Sequence, residues 1–176
     1  MRRARGAPGL LVVGVLALNL HGVSMGADDG AVRPTADAQV DAAVRRLQAA
    51  KAGVVKVLDA QCPDPAGWDG WLDEMVGAVA AVVGIADIDG ALRKNGASPE
   101  KLRLFVEARG DDVAQLEAAT TLRRKVEGCA TATGHTAPSI QEFTEAVYPR
   151  ADAVKRREER ALGLEKLYQP VKRSGG

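Results

Sequence analysis

Between Val40 and Leu58 the large apolar positions fall at Val40, Val44, Leu47, Val54 and Leu58, with spacings of 4, 3, 7 and 4. That rhythm keeps one face of a helix apolar. It predicts a first helix from Thr35, as N-cap, to about Gln61. Cys62-Pro63-Asp64-Pro65 ends it, because proline lacks a backbone donor and pushes the preceding residue out of helical geometry. A second helix is predicted from Pro65 to Lys94, with Trp68, Leu72, Met75, Val79, Val82 and Ala86 as its stripe. Met75 to Ala86 carries no charge, so this helix is expected to be the most buried. Gly77 and Gly84 are expected where a neighbouring helix comes close. Ser98 and Pro99 open a third helix as cap and first turn. Leu102, Phe105, Val106, Val113, Leu116 and Val126 are its expected buried side, with Gly110 a place to kink or split. A fourth opens on the capping-box spacing Ser139-x-x-Glu142. It places Ile140, Phe143, Val147, Val154, Ala161 and Leu164 on one side, and ends near Tyr168. Pro149 is expected to kink or break it after Tyr148. Strand-like alternation and internal repeats are not evident in the sequence. The expected fold class is all-α: an antiparallel, up-down-up-down four-helix bundle of long helices.

The first 26 residues read differently. Arg2, Arg3 and Arg5 precede an uncharged apolar run, Gly9 to Leu20, and then the small-residue exit Ser24-Met25-Gly26. This is the three-part pattern of a secretory leader. The apolar run is shorter than the roughly 20 residues that a spanning helix needs. The expected organisation is a leader at 1–26, a polar lead-in at 27–34, the helical domain at 35–168 and a polar tail at 169–176. No other segment is read as a membrane span, and the polar residues Leu167 to Gly176 lead to no expectation of a lipid-anchor tail. The expected destination is extracellular or periplasmic.

Composition sharpens this picture. The leader holds three of the 24 Lys and Arg and none of the 23 Asp and Glu, so the mature chain carries a net charge of −2. Such a balance gives no long-range attraction to nucleic acid. Aromatic residues make up only 3% of the chain, so the core must be alanine-rich and aliphatic, which suits close-packed helices. The two cysteines, Cys62 and Cys129, are expected to form one disulfide in an oxidising compartment. In the bundle expected here, helices one and three run the same way. Cys62 follows the first and Cys129 closes the third, so the bridge falls where the topology brings them together.

Candidate chemistry is sparse. The mature chain has one histidine, His135, in the loop Thr133-Gly134-His135-Thr136, and no GxSxG elbow accompanies it. Metal sites usually take several His, Cys or carboxylate ligands, so no metal and no cofactor are expected. Asp87-Ile88-Asp89-Gly90 has the middle of a calcium loop, but Ile85 and Gly96 stand where the first Asp and the closing Glu belong. It is read as the polar last turn of helix two. Lys155 to Arg160 is a mixed charge run, with Lys155 and Glu159 spaced for a pair on a solvated face. Two cations interrupt apolar stripes: Lys51 between Leu47 and Val54, and Arg109 between Val106 and Val113. They are either anchors for a small anionic ligand or long stems that snorkel to water. Trp68 and Trp71 either cap the core at a bundle end or form a partner-binding patch.

In composition the chain is similar to the alanine-rich helical-bundle surface proteins of trypanosomes. In size and helical content it resembles the secreted chorismate mutases, which hold a dicarboxylate between helices with Arg and Lys. Neither resemblance aligns motif by motif. The leading expectation is a secreted or surface-associated, non-catalytic helical bundle that binds a partner, a protein or a small anionic ligand, or forms part of a surface or extracellular assembly. The alternatives are a small secreted all-α enzyme with an anionic ligand between its helices, and a truncated helical surface antigen of the trypanosome type.

Overall fold

The Thr35 hydroxyl accepts the Ala38 amide at 3.2 Å and starts α1, Ala36–Asp59. In this computed structural model the described residues are 34–164. The leader, nearly all of the lead-in, the expected helix end at Tyr168 and the polar tail lie outside them. A 3-10 turn at Pro65–Gly67, capped by Asp64, leads into α2, Trp68–Ala86. A bend at Asp87–Ile88 separates α2 from a short α3, Asp89–Lys94. The Ser98 side chain caps α4, Pro99–Arg109, and the Asp111 side chain caps α5, Asp112–Thr133. The last element is α6, Ile140–Ala161. Its opening is a complete capping box: the Ser139 amide donates to Glu142 at 2.8 Å, and the Glu142 amide donates to the Ser139 hydroxyl. All secondary structure among the described residues is helical, in four runs separated by loops.

Several expectations need correction. The second run is bent rather than continuous, because α2 ends at Ala86 and α3 restarts at Asp89. The third run is split at Gly110, whose φ of +88° suits glycine and turns the chain between α4 and α5. The fourth run, in contrast, passes through Pro149 unbroken. Pro149 and Glu145, four residues earlier, are both exposed, so the carbonyl that proline leaves without an amide partner lies on the solvent side. The run Pro65–Lys94 is long and apolar enough to cross a membrane by length and composition, with a mean hydropathy of 1.8 over its best window. This overturns the expectation that no segment beyond the leader is long and apolar enough to span. Within the described residues, α2 packs most extensively against α6 and next against α1.

The core has three parts. The largest gathers Val40, Ala43 and Leu47 of α1, Ile85 of α2, Ile88 at the bend, Leu92 of α3, Leu102 and Phe105 of α4, and Leu162 and Leu164 beyond α6. A smaller seam between α2 and α6 holds Val76, Ala80, Val147 and Ala151. The third cluster surrounds Trp68 and Trp71 with Met75 of α2 and Leu122, Val126, Cys129 and Ala130 of α5. Gly84 is where α2 and α6 cross closely: a Cβ there would meet the Ala151 carbonyl and lie 2.8 Å from the Val154 Cβ. Gly77 has nothing within 4 Å of that position, so the close approach expected there is absent.

Candidate functional site

Lys51 reaches the end of α4, but it meets main-chain oxygens there, as a helix cap. The Lys51 Nζ donates to the Ala108 carbonyl and, at 3.1 Å, to the Arg109 carbonyl. These are end groups of α4, left without amide partners by helix geometry. A cation there also complements the negative end of the helix dipole. Arg109 is half-buried, and its Nε is buried with no hydrogen-bond partner. Lys51 thus uses its charge on main-chain oxygens instead of facing a cavity with Arg109. The open groove nearby, between α1 and α4, is lined by Asp41, Val44, Arg45, Gln48, Leu104, Glu107 and Ala108, and contains neither cation.

The tryptophans belong to the core. Trp68 is 4% exposed and Trp71 8%, so neither offers a surface to a partner. Their rings sit 5.4 Å apart, and Trp68 stacks on His135 at 5.2 Å. The His135 Nδ1 lies 3.2 Å from the Thr133 carbonyl, and its backbone amide closes the end of α5 on the Ala130 carbonyl at 2.9 Å. This histidine is a packed loop residue. Beside it the Cys62–Cys129 disulfide is formed, with the Cα atoms 5.2 Å apart. It joins the end of the first run to the last turns of α5, and Lys125 adds a hydrogen bond to the Ala60 carbonyl at 2.6 Å.

The polar run on α6 is not a uniformly solvated face. Glu158 and Glu159 are both buried, and Glu158 pairs with Arg46 of α1. Lys155 pairs with Asp87 at the α2–α3 bend, which also accounts for one carboxylate of the calcium-like segment. Arg93 takes a second, Asp89, at 2.7 Å. Among the described residues no group of three or more His, Cys, Asp or Glu side chains could hold a metal ion. The position of Glu158 was legible: it stands four residues after Val154 and seven after Ala151, in register with the buried face.

The feature the sequence reading missed is the outer face of α5. Val113 and Leu116, expected in the core, are 65% and 69% exposed. Every residue from Val113 to Thr121 is exposed, and burial begins at Leu122. The signal was present as a phase break. Nine residues separate Val113 from Leu122, about 900° at 100° per residue, which places them on opposite sides of one helix. The outer face therefore carries Val113, Leu116, Glu117, Thr120 and Arg124, while the inner face carries Leu122, Val126, Cys129 and Ala130. Compared with known proteins, the chain matches no family model, no curated protein and no solved structure.

Proposed function

We propose that this chain is an exported, non-catalytic helical module that works by binding a protein partner through the outer face of α5. The observation that carries this reading is the pair Val113 and Leu116, held in solvent on the first half of α5, where every residue from Val113 to Thr121 is exposed and burial begins only at Leu122. The bundle behind it is read as four runs alternating up and down, and the joined ends of runs one and three support that arrangement. Export is supported by the leader pattern of the first 26 residues and by the disulfide, a bond that persists in oxidising compartments. The mature chain then begins at Ala27 and resides outside the cytosol.

The test places a photo-reactive residue at position 116 in the full chain, expressed with its own leader. The expected result is an exported, oxidised protein starting at Ala27 that forms a discrete crosslinked species. A protein recovered with Met1 to Leu20 still attached, or one that forms no crosslink, overturns the reading.

The alternative, a small anion held between Lys51 and Arg109, has one observation in its favour, the unpartnered Arg109 Nε. Against it, the Lys51 ammonium already faces two carbonyl oxygens, whose partial negative charge opposes an anion at that point. Titrating a dicarboxylate while following the melting temperature separates the two. No shift is expected. A saturable rise abolished by Arg109→Leu transfers support to the ligand reading.

A further inference from the structure

The outer face of α5 has a charge order that points to its occupant. From its N-terminal end the order is the acidic cap Asp111, the aliphatic pair Val113 and Leu116, the acid Glu117, the small Thr120 and Thr121, and then the cations Arg123 and Arg124. Asp111, Glu117, Arg123 and Arg124 are all exposed. Arg123 is already held by Glu127 one turn further on, at 2.7 Å, which leaves Arg124 as the cation beside Thr120 on the outer face. Glu127 also lies on this face but is engaged by Arg123, so the order left runs from the acid Glu117 to the base Arg124, and such an order is complementary to itself only when turned end for end. A parallel copy sets Glu117 against Glu117 and Arg124 against Arg124. An antiparallel copy sets each Glu117 against the other chain's Arg124, and also opposes the two helix dipoles.

We propose that the outer face of α5 pairs with the same face of a second copy of this chain, antiparallel, about a two-fold axis passing between Thr120 and Thr121. This rests on the reading of the α5 face as the binding surface and names its partner. At that crossing the small threonines allow close approach. Leu116 of each chain lies beside Thr121 and the aliphatic stem of Arg124 of the other, and Glu117 meets Arg124 twice by symmetry. Leu122, Val126 and the disulfide stay turned inward, so pairing needs no rearrangement of the core. Two faces with two large aliphatic side chains each cover less than the roughly 1,200 Å² of a stable complex. The association is accordingly weak, concentration-dependent and reduced by salt.

Sedimentation equilibrium of the oxidised full chain, as recovered from the producing cell, tests this at low and high salt. A monomer–dimer equilibrium is expected, weakened several-fold by high salt. Leu116→Asp is expected to weaken it at least tenfold without lowering the melting temperature, because the side chain is 69% exposed. Glu117→Arg and Arg124→Glu should each lose self-association, and an equimolar mixture of the two should regain it, since the mixed dimer restores both cross-pairs, one as in the original chain and one with its signs exchanged. A chain that stays monomeric at every concentration in low salt overturns the proposal. So does a dimer indifferent to Leu116→Asp, or a mixture that fails to recover. Monomeric protein that still crosslinks from position 116 to a different protein rejects the second copy alone. Monomeric protein with no crosslink rejects the α5 binding surface as well.

Discussion

At one end of the molecule α1, α3, α4 and the segment after α6 close around Leu47, Leu92, Phe105 and Leu164, each fully buried. Its edge is tied by polar side chains: Gln39 donates to the Leu162 carbonyl at 2.7 Å and accepts from Asn95, and Lys101 of α4 grips Asp41 of α1 at 2.7 Å. At the other end Trp68, Trp71 and Met75 are covered by Leu122, Val126, Cys129 and Ala130 of α5, with Val57, Leu58 and Phe143 packed at the edge, and a covalent bond joins α5 to the end of the first run. The difference follows from how many faces each helix buries. α4 docks on α1 along its length with Leu102 and Phe105 inward. α5 buries only Leu122, Val126, Cys129 and Ala130, too short a seam to hold a 22-residue helix by packing alone. A staple there leaves the other half of α5 free to face outward.

The largest expected effect breaks that staple. Cross-linking residues 67 apart stabilises by about 4 kcal/mol in the chain-entropy account. Cys62→Ser with Cys129→Ser should lose roughly that amount in chemical denaturation. Hydrogen exchange should show the loss of protection concentrated in α5, with the amides around Leu47 and Phe105 the last to exchange. Protection lost evenly across both ends would mean that the disulfide serves the whole bundle and the comparison fails. Next in size is Leu47→Ala, about 3 kcal/mol for a buried leucine. If the two ends are energetically separate, its cost should be the same in oxidised and reduced protein to within about 0.5 kcal/mol.

Two glycines in α2 sharpen the comparison further. Gly84→Ala drives a methyl group into the Ala151 carbonyl and Val154 and should cost about 2 kcal/mol as overpacking. Gly77→Ala meets nothing within 4 Å and should gain up to about 1 kcal/mol from helix propensity. Both follow from thermal melts of the single variants. Equal effects at the two positions would mean that α2 and α6 do not cross where Gly84 lies.

The sequence carried the helix starts well, because caps are local chemistry: Thr35, Ser98 and Ser139 each accept the amide their spacing implied. It also carried the disulfide, since chain direction alone brings the ends of runs one and three together. What it hid was tertiary. Val113 and Leu116 looked like a continuation of the Phe105 stripe, yet Gly110 turns the chain between them and resets which face is inward. Trp68 and Trp71 could have lain on either side of the bundle end until α5 was placed over them. Lys51 fitted a ligand anchor equally well until α4 was seen to end against it. The stop at Ala86 has no strong signal in the residues. Asp87, Asp89 and Gly90 are poor helix formers, but the apolar period continues through Ile88 and Leu92.

The smallest expected effects are pH responses, and they fall on opposite ends. Glu142, at the start of α6, is held below the usual glutamate range, first by the Ser139 backbone amide and then by its hydroxyl. A carboxyl lowered by folding contributes fully above its ordinary value, and that contribution is lost as pH falls through the lower folded value. Asp73, lowered by the Arg150 guanidinium that links α2 to α6, behaves the same way. Lys101 is raised above the usual lysine range, first by its hydrogen bond to Asp41. Its contribution is complete below the ordinary lysine value and is lost as pH climbs through the higher folded one. Acid should therefore loosen the start of α6 and the α2–α6 link, and alkali the contact between α1 and α4. Glu142 and Asp73 are exposed and Lys101 only half-buried, so both changes are small and screened by salt. Amide NMR through the two titrations reads them directly, with Ser139 and Ser98 as the reporters. Glu142→Gln keeps an acceptor for the Ser139 amide but cannot titrate, so it should flatten the acid response at Ser139 and leave the alkaline one at Ser98 untouched. An acid response that persists in that variant would assign it to Asp73 and Arg150 instead of the cap.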